Sequence, residues 1–189
     1  MGSTKSNAAR FSLFAPGINT QKGQVPYVRE ATMQTVREWM ASPRMKRLTL
    51  ELRSIDNEKL QRAFKTERLP FATFGGVFSR RTESGLISPS GLQCFDFDHL
   101  GGPDAVTEVK TLLRADRYFD TQLMFTSPRG DGVKWVTSID LSRATYAQWY
   151  TAICNYLHSE LHLNPDSAPR NIASACFLCW DDSCGETNF

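Results

Sequence analysis

Gly91-Leu92-Gln93-Cys94-Phe95-Asp96-Phe97-Asp98-His99-Leu100 is the stretch that decides the fold. It is short and apolar, and two aspartates interrupt it. Side chains alternate from face to face along a strand, so Phe95 and Phe97 are expected in a core. Asp96 and Asp98 then share the opposite face, with Cα atoms roughly 6.5–7 Å apart. Carboxylates inside an apolar strand repel each other and are costly to bury. A bound cation removes that cost, and two divalent ions about 3.5–4 Å apart are what a two-metal phosphoryl-transfer site holds. The plainer alternative is a sheet with one solvated face that carries ordinary surface acids. His99 falls on the other face of a continuing strand and suits packing or helix capping.

Working outward, Gly101-Gly102-Pro103-Asp104 reads as a turn and a helix start. Val106, Val109, Leu112 and Leu113 form the apolar stripe of that helix. Gln122–Thr126 and Val133–Ile139 read as strands. Ser142 is expected to cap a helix running to about Leu161, and Cys176–Trp180 reads as a last strand. Upstream, Glu30–Met40 reads as a helix ended by Ser42-Pro43, and Asp56–Glu67 as a second, capped by Asp56 and stopped at Leu69-Pro70. Phe71–Phe78 reads as a strand with a close backbone approach at its glycines, and Thr82–Pro89 as a polar turn. Residues 1–25 are rich in Ser, Asn, Gln and Gly and read as a loose arm before a domain over 26–189. Helices mixed with adjacent strands give an α+β class with a mostly antiparallel sheet.

Two further constellations carry chemistry. In Ser127-Pro128-Arg129-Gly130-Asp131-Gly132-Val133-Lys134, the glycines allow a ligand close to the backbone, and exposed N–H groups in such a turn form an anion nest. Lys134 and Arg129 add cations suited to phosphate, and Ser127 adds a hydroxyl. The alternative is an ordinary hairpin loop. Asp166, followed by Arg170 and Asn171, lies in a loop returning to the sheet. It is either a third carboxylate ligand with a phosphate-binding arginine behind it or a turn residue beside Pro165 and Pro169.

The 189 residues suit one domain with a sizeable core. Neither a signal peptide nor an apolar membrane span is visible, so a cytoplasmic protein that avoids membranes is expected. The net charge of +2 does not demand a nucleic-acid partner. Arg37, Arg44, Lys46, Arg47 and Arg53, then Lys59, Arg62, Lys65 and Arg68, nevertheless concentrate positive charge upstream. The five cysteines read as reduced thiols. Cys176 and Cys179 form a CxxC near Cys184, His158 and His162. The pair lies in an apolar strand with no second CxxC, so zinc is not expected. Trp135 has the spacing of a core residue, although an indole there would also stack on a base.

Taken in order, these pieces resemble the primase-polymerase domains of the archaeo-eukaryotic primase superfamily. The likeness is to the VirE N-terminal-like subgroup, found in bacterial mobile elements and phages beside helicases. It rests on Lys65-Thr66-Glu67-Arg68-Leu69-Pro70, Gly75-Gly76-Val77-Phe78, Phe95-Asp96-Phe97-Asp98, Ser127 through Lys134, Asp166 with Arg170, and Cys176 through Asp181. It spans about Tyr27 to the C-terminus.

The resemblance implies an RRM-like antiparallel sheet bearing the acids, packed beside a smaller α/β unit. It implies a nucleotidyltransferase of the DNA primase/polymerase type, using Mg²⁺ or Mn²⁺, nucleoside triphosphates and a single-stranded DNA or RNA template. Asp96, Asp98 and Asp166 would hold the metals, with Asp181 the rival for the third acid. Ser127, Arg129, Gly130, Gly132, Lys134 and Arg170 would hold the triphosphate. Lys134 stands where the family often has His, a departure that favours a weakly catalytic nucleic-acid-binding module as the alternative. A metal-dependent nuclease is a third reading, which leaves the 127–134 loop unexplained. No helicase module follows in the sequence, so it reads as a fragment of a longer primase-helicase.

Overall fold

The computed structural model describes residues 9–16 and 28–182. Its strands are β1 (Phe11–Phe14), β2 (Val28–Ala31), β3 (Phe71–Thr73), β4 (Gly76–Phe78), β5 (Leu86–Pro89), β6 (Leu92–Phe97), β7 (Thr121–Thr126), β8 (Val133–Ser138) and β9 (Cys176–Phe177). Its helices are α1 (Met33–Met40), α2 (Pro43–Arg53), α3 (Glu58–Arg68), α4 (Pro103–Ala115) and α5 (Tyr146–Leu161). Among the described residues every strand pairing is antiparallel. The class is α+β, as the sequence pattern implies. No described helix is long and apolar enough to cross a membrane.

One sheet runs β6-β8-β7. Helix α4 carries the chain from β6 past the neighbouring position to β7, and β8 then fills the gap as a hairpin partner, a split β-α-β arrangement. Phe95 and Phe97 from β6, with Val133 and Trp135 from β8, pack on Val106, Val109 and Leu113 of α4 and Tyr150, Ile153 and Leu157 of α5. Trp135 is a core residue, its indole N–H donating to Thr121 Oγ1 at 2.8 Å.

The other face of the sheet meets a second core. Leu92 and Cys94 of β6, Val136 of β8, and Leu123 and Phe125 of β7 pack there against Phe11, Leu13, Ala72, Val36, Met45 and Leu52. Those partners belong to α1, α2 and a second sheet, β2-β1-β3-β9. The strict alternation of β6 therefore sends Asp96 into the seam between two hydrophobic units.

Several boundaries differ from the sequence reading. Phe11–Phe14 is a buried strand between β2 and β3, not part of a loose arm. Its Phe-Ser-Leu-Phe takes β2 as one antiparallel partner and the distant β3 as the other. The first helix starts at Met33, because β2 claims the chain through Ala31. Ser42-Pro43 starts a helix as well as ending one: the Ser42 hydroxyl accepts from Met45 N–H and Pro43 occupies the first turn of α2. Asn57 rather than Asp56 caps α3. Thr145, in a capping box with Gln148, rather than Ser142, caps α5. The Phe71–Phe78 segment is two strands in two sheets, and the Thr82–Pro89 segment contains β5.

Candidate metal centre

Two strands and one loop build the site. Strand β6 supplies Asp96 and, just past its end, Asp98. Strand β8 places Lys134 directly across from Asp96 in the register. The loop after α5 supplies Asp166, tied to the sheet because its backbone N–H donates to the Asp96 carbonyl at 2.7 Å. The Tyr150 hydroxyl donates to the Asp166 carbonyl and fixes the loop from the other side.

One carboxylate oxygen from each of Asp96, Asp98 and Asp166 lies within 4.8 Å of the others. The Lys134 ammonium forms an ion pair with Asp96 and lies 3.6 Å from Asp98 Oδ1. Asp96 Oδ1 is buried and has no hydrogen-bond partner. Buried acceptors rarely stay unpaired unless something binds there. Hard oxygen donors of this kind suit Mg²⁺ or Mn²⁺, so the residues fit a divalent cation.

The electrostatics agree with that fit. Burial raises the Asp96 carboxyl to about 6 against the pull of Lys134, with Asp98 and Asp166 adding to the rise. Burial also works to raise Asp98. There Lys134, a hydrogen bond with Asp96, Arg129 and Lys65 outweigh it, and the pKa falls below the usual carboxylate value. Burial works against the charge on Lys134, but Asp96 and Asp98 overcome it and hold the ammonium firmly protonated. Lys65 of α3 is pushed below its ordinary value, first by burial and then by the charges of Arg129 and Lys134.

The 127–132 loop differs from the expected nest. Ser127 N–H donates to the Gly132 carbonyl and Gly130 N–H to the Ser127 carbonyl, so both amides are used inside the turn. Ser127 is buried, and its hydroxyl donates to Asp131 at 3.4 Å. A Cβ on Gly132 would run into the Phe97 carbonyl, so this glycine serves the approach of β6 rather than of a ligand. Gly130 adopts a φ of +91°, in the left-handed region. Arg129 bonds Glu58 of α3 at 2.9 Å and lies 3.8 Å from Asp131.

Other expected residues fall in different places. Arg170 lies exposed at the end of a short 3-10 turn after Asp166. Asp181, the rival third acid, instead pairs with Lys110 at 2.6 Å and accepts from Thr126 N–H. Cys179 donates to the Thr126 carbonyl at 3.1 Å, and His158 bonds Asn164 at 2.8 Å. Cys184 lies outside the described residues. Among the described residues the aspartate trio is the cluster with the spacing of a metal site.

Two cations escaped the sequence reading of the site. Arg53, at the end of α2, donates to the carbonyls of Ser127 and Pro128 at 3.2 and 3.3 Å and holds the loop. Lys65 faces the acids electrostatically from α3. Both stand in the basic upstream stretch, but only the packing of α2 and α3 on the loop picks them out of that run.

No curated protein and no solved structure matches the chain. The model of the BT4734-like, N-terminal domain family matches residues 64–184. That span holds Lys65, Asp96, Asp98, Arg129, Lys134 and Asp166, and the chain belongs to this family.

Proposed function

We propose that the chain is a metal-dependent nucleotidyltransferase of the primase/DNA polymerase type, which uses nucleoside triphosphates on a single-stranded nucleic-acid template. The observation that carries this reading is the convergence of Asp96, Asp98 and Asp166 oxygens within 4.8 Å, beside the cations Lys65, Arg129 and Lys134. Acids alone suit many metal sites. Acids ringed by cations suit a polyanion that brings phosphate oxygens to the metal.

In this reading Asp96, Asp98 and Asp166 hold Mg²⁺ or Mn²⁺, which when bound supplies charge stabilisation at the attacking and leaving oxygens. Lys134, Lys65 and Arg129 neutralise the triphosphate. For Arg170, exposed at the end of the turn after Asp166, the phosphate role rests on the resemblance alone. Ser127, Gly130 and Gly132 contribute by shaping the loop that carries Arg129 and leads into Lys134. A 3′-hydroxyl attacks the α-phosphorus and pyrophosphate leaves. The protein's part is positioning and electrostatics rather than covalent chemistry. The split β-α-β order of β6, β8 and β7 supports an RRM-like sheet, and the ordered motifs support the primase-polymerase resemblance.

The test is nucleotide incorporation on a single-stranded template, with and without primer, in Mn²⁺ and in Mg²⁺. We expect product from the wild type and none from an Asp96→Asn, Asp98→Asn double variant. No incorporation combined with no triphosphate binding sinks the enzyme reading. One observation favours a second reading, a nucleic-acid-binding module without turnover: Lys134 already neutralises part of the acid pair. Salt-sensitive binding to single strands without product would identify that case.

A further inference from the structure

Lys134 and the divalent ions want the same two carboxylates. The ammonium pairs with Asp96 and lies 3.6 Å from Asp98, and both acids belong to the converging trio. A monovalent ammonium and a divalent cation cannot share those oxygens without strong repulsion. Lys134 cannot move aside as a unit, because its backbone is in the central strand, paired to β6 on one side and β7 on the other. Nor is there space inward. The cavity that Asp96 and Lys134 line with Cys94 and Cys176 measures about 20 Å³, room for about one water. The alternative for the side chain is to swing off the acids while its Cα stays fixed. That brings a positive charge into a neighbourhood that already holds Lys65 and Arg129, a move favourable only when an anion arrives there.

We propose that Lys134 is a tethered counterion that exchanges with the metal: it neutralises Asp96 and Asp98 in the empty site and transfers to the phosphates when metal and triphosphate enter together. Metal and triphosphate binding are then positively coupled through one side chain. By linkage each ligand tightens the other by the same factor. The site resists loading by metal alone, which is a form of regulation built into the sheet. This inference rests on the triphosphate-site reading above.

The experiment is Mn²⁺ binding to the full chain, followed by electron paramagnetic resonance, with and without a non-hydrolysable nucleoside triphosphate. Wild type is compared with Lys134→Met, which removes the charge and keeps the length, and with Lys134→Arg, which keeps the charge. Lys134→Met is expected to bind Mn²⁺ alone on the order of tenfold more tightly than wild type, the scale of one lost charge contact. It should also lose most of the tightening by triphosphate. Lys134→Arg should retain wild-type coupling. Should Lys134→Met fail to fold without metal, Lys134→Gln carries the same expectation. Wild-type Mn²⁺ binding with equal or weaker binding in the neutral variants overturns the exchange and leaves the metal centre standing. No Mn²⁺ binding by any chain, with or without triphosphate, overturns the metal centre and the exchange together.

Discussion

Lys110 and Lys134 each reach an aspartate in a nearly closed environment, yet the surroundings differ. The Lys110 and Asp181 side chains are 11% and 7% exposed, and those of Lys134 and Asp96 are 10% and 21% exposed. Lys110 also donates to Thr126 Oγ1 at 2.8 Å, and Asp181 accepts from Thr126 N–H. An opposite charge and hydrogen bonds to Thr126 hold that pair, which fastens the C-terminal segment to β7. Around Lys134 three carboxylates converge within 4.8 Å, and one buried oxygen of Asp96 has no hydrogen-bond partner. Burial alone therefore does not mark a site. Crowded like charges beside an unpaired acceptor do, because a bound ligand corrects both.

The sharpest separation of the two regions comes from neutralising each. Asp98→Asn is expected to weaken Mn²⁺ binding on the order of a hundredfold or more, as lost ligands and their supports commonly do, while the unfolding free energy stays within about 1 kcal/mol. Lys110→Met should do the reverse. Breaking a buried pair costs about 3 kcal/mol, visible in urea unfolding, with Mn²⁺ affinity unchanged. A large stability loss in Asp98→Asn would erase the contrast.

Acid provides a graded version of the same comparison. The Asp96 carboxyl titrates at about 6 in the metal-free protein. Above that pH it is charged and open to a cation; below it, the metal must displace a proton. Mn²⁺ affinity should fall through pH 6 by about tenfold per unit, measured by titration between neutral and mildly acidic buffer. A flat profile across that range would show that Asp96 does not contribute a ligand. The smallest stability effect is expected at Asp166, which is exposed. Asp166→Asn should change stability by about 0.5 kcal/mol or less and still weaken Mn²⁺ binding.

The acid strand was legible because a period of two is local information: Leu92, Cys94, Asp96 and Asp98 can be assigned to one face from spacing alone. Asp166 is legible only from the order of the motifs and from Arg170 four residues on, since beside Pro165 and Pro169 it otherwise reads as a turn aspartate. Helix α2 was hidden because Ser-Pro both stops one helix and starts the next. Lys65 and Arg53 were hidden for a different reason. The nine upstream cations look alike until α2 and α3 dock, and docking alone selects these two. The anion nest was misread because a glycine makes room for whatever comes near, and at Gly132 that is the protein's own β6.

The hydrogen bond from Asp166 N–H to the Asp96 carbonyl has a consequence in time as well as space. Its partners are separated by α4, the β7–β8 hairpin and α5, so it closes a long loop and belongs to the slow, non-local part of folding. The acid trio cannot be complete until α5 has docked. On the proposed metal-binding reading, tight uptake of an ion reports the arrival of the whole domain rather than of the strand that bears Asp96 and Asp98. A nascent chain carrying β6 through β8 is then expected to present these aspartates without retaining an ion.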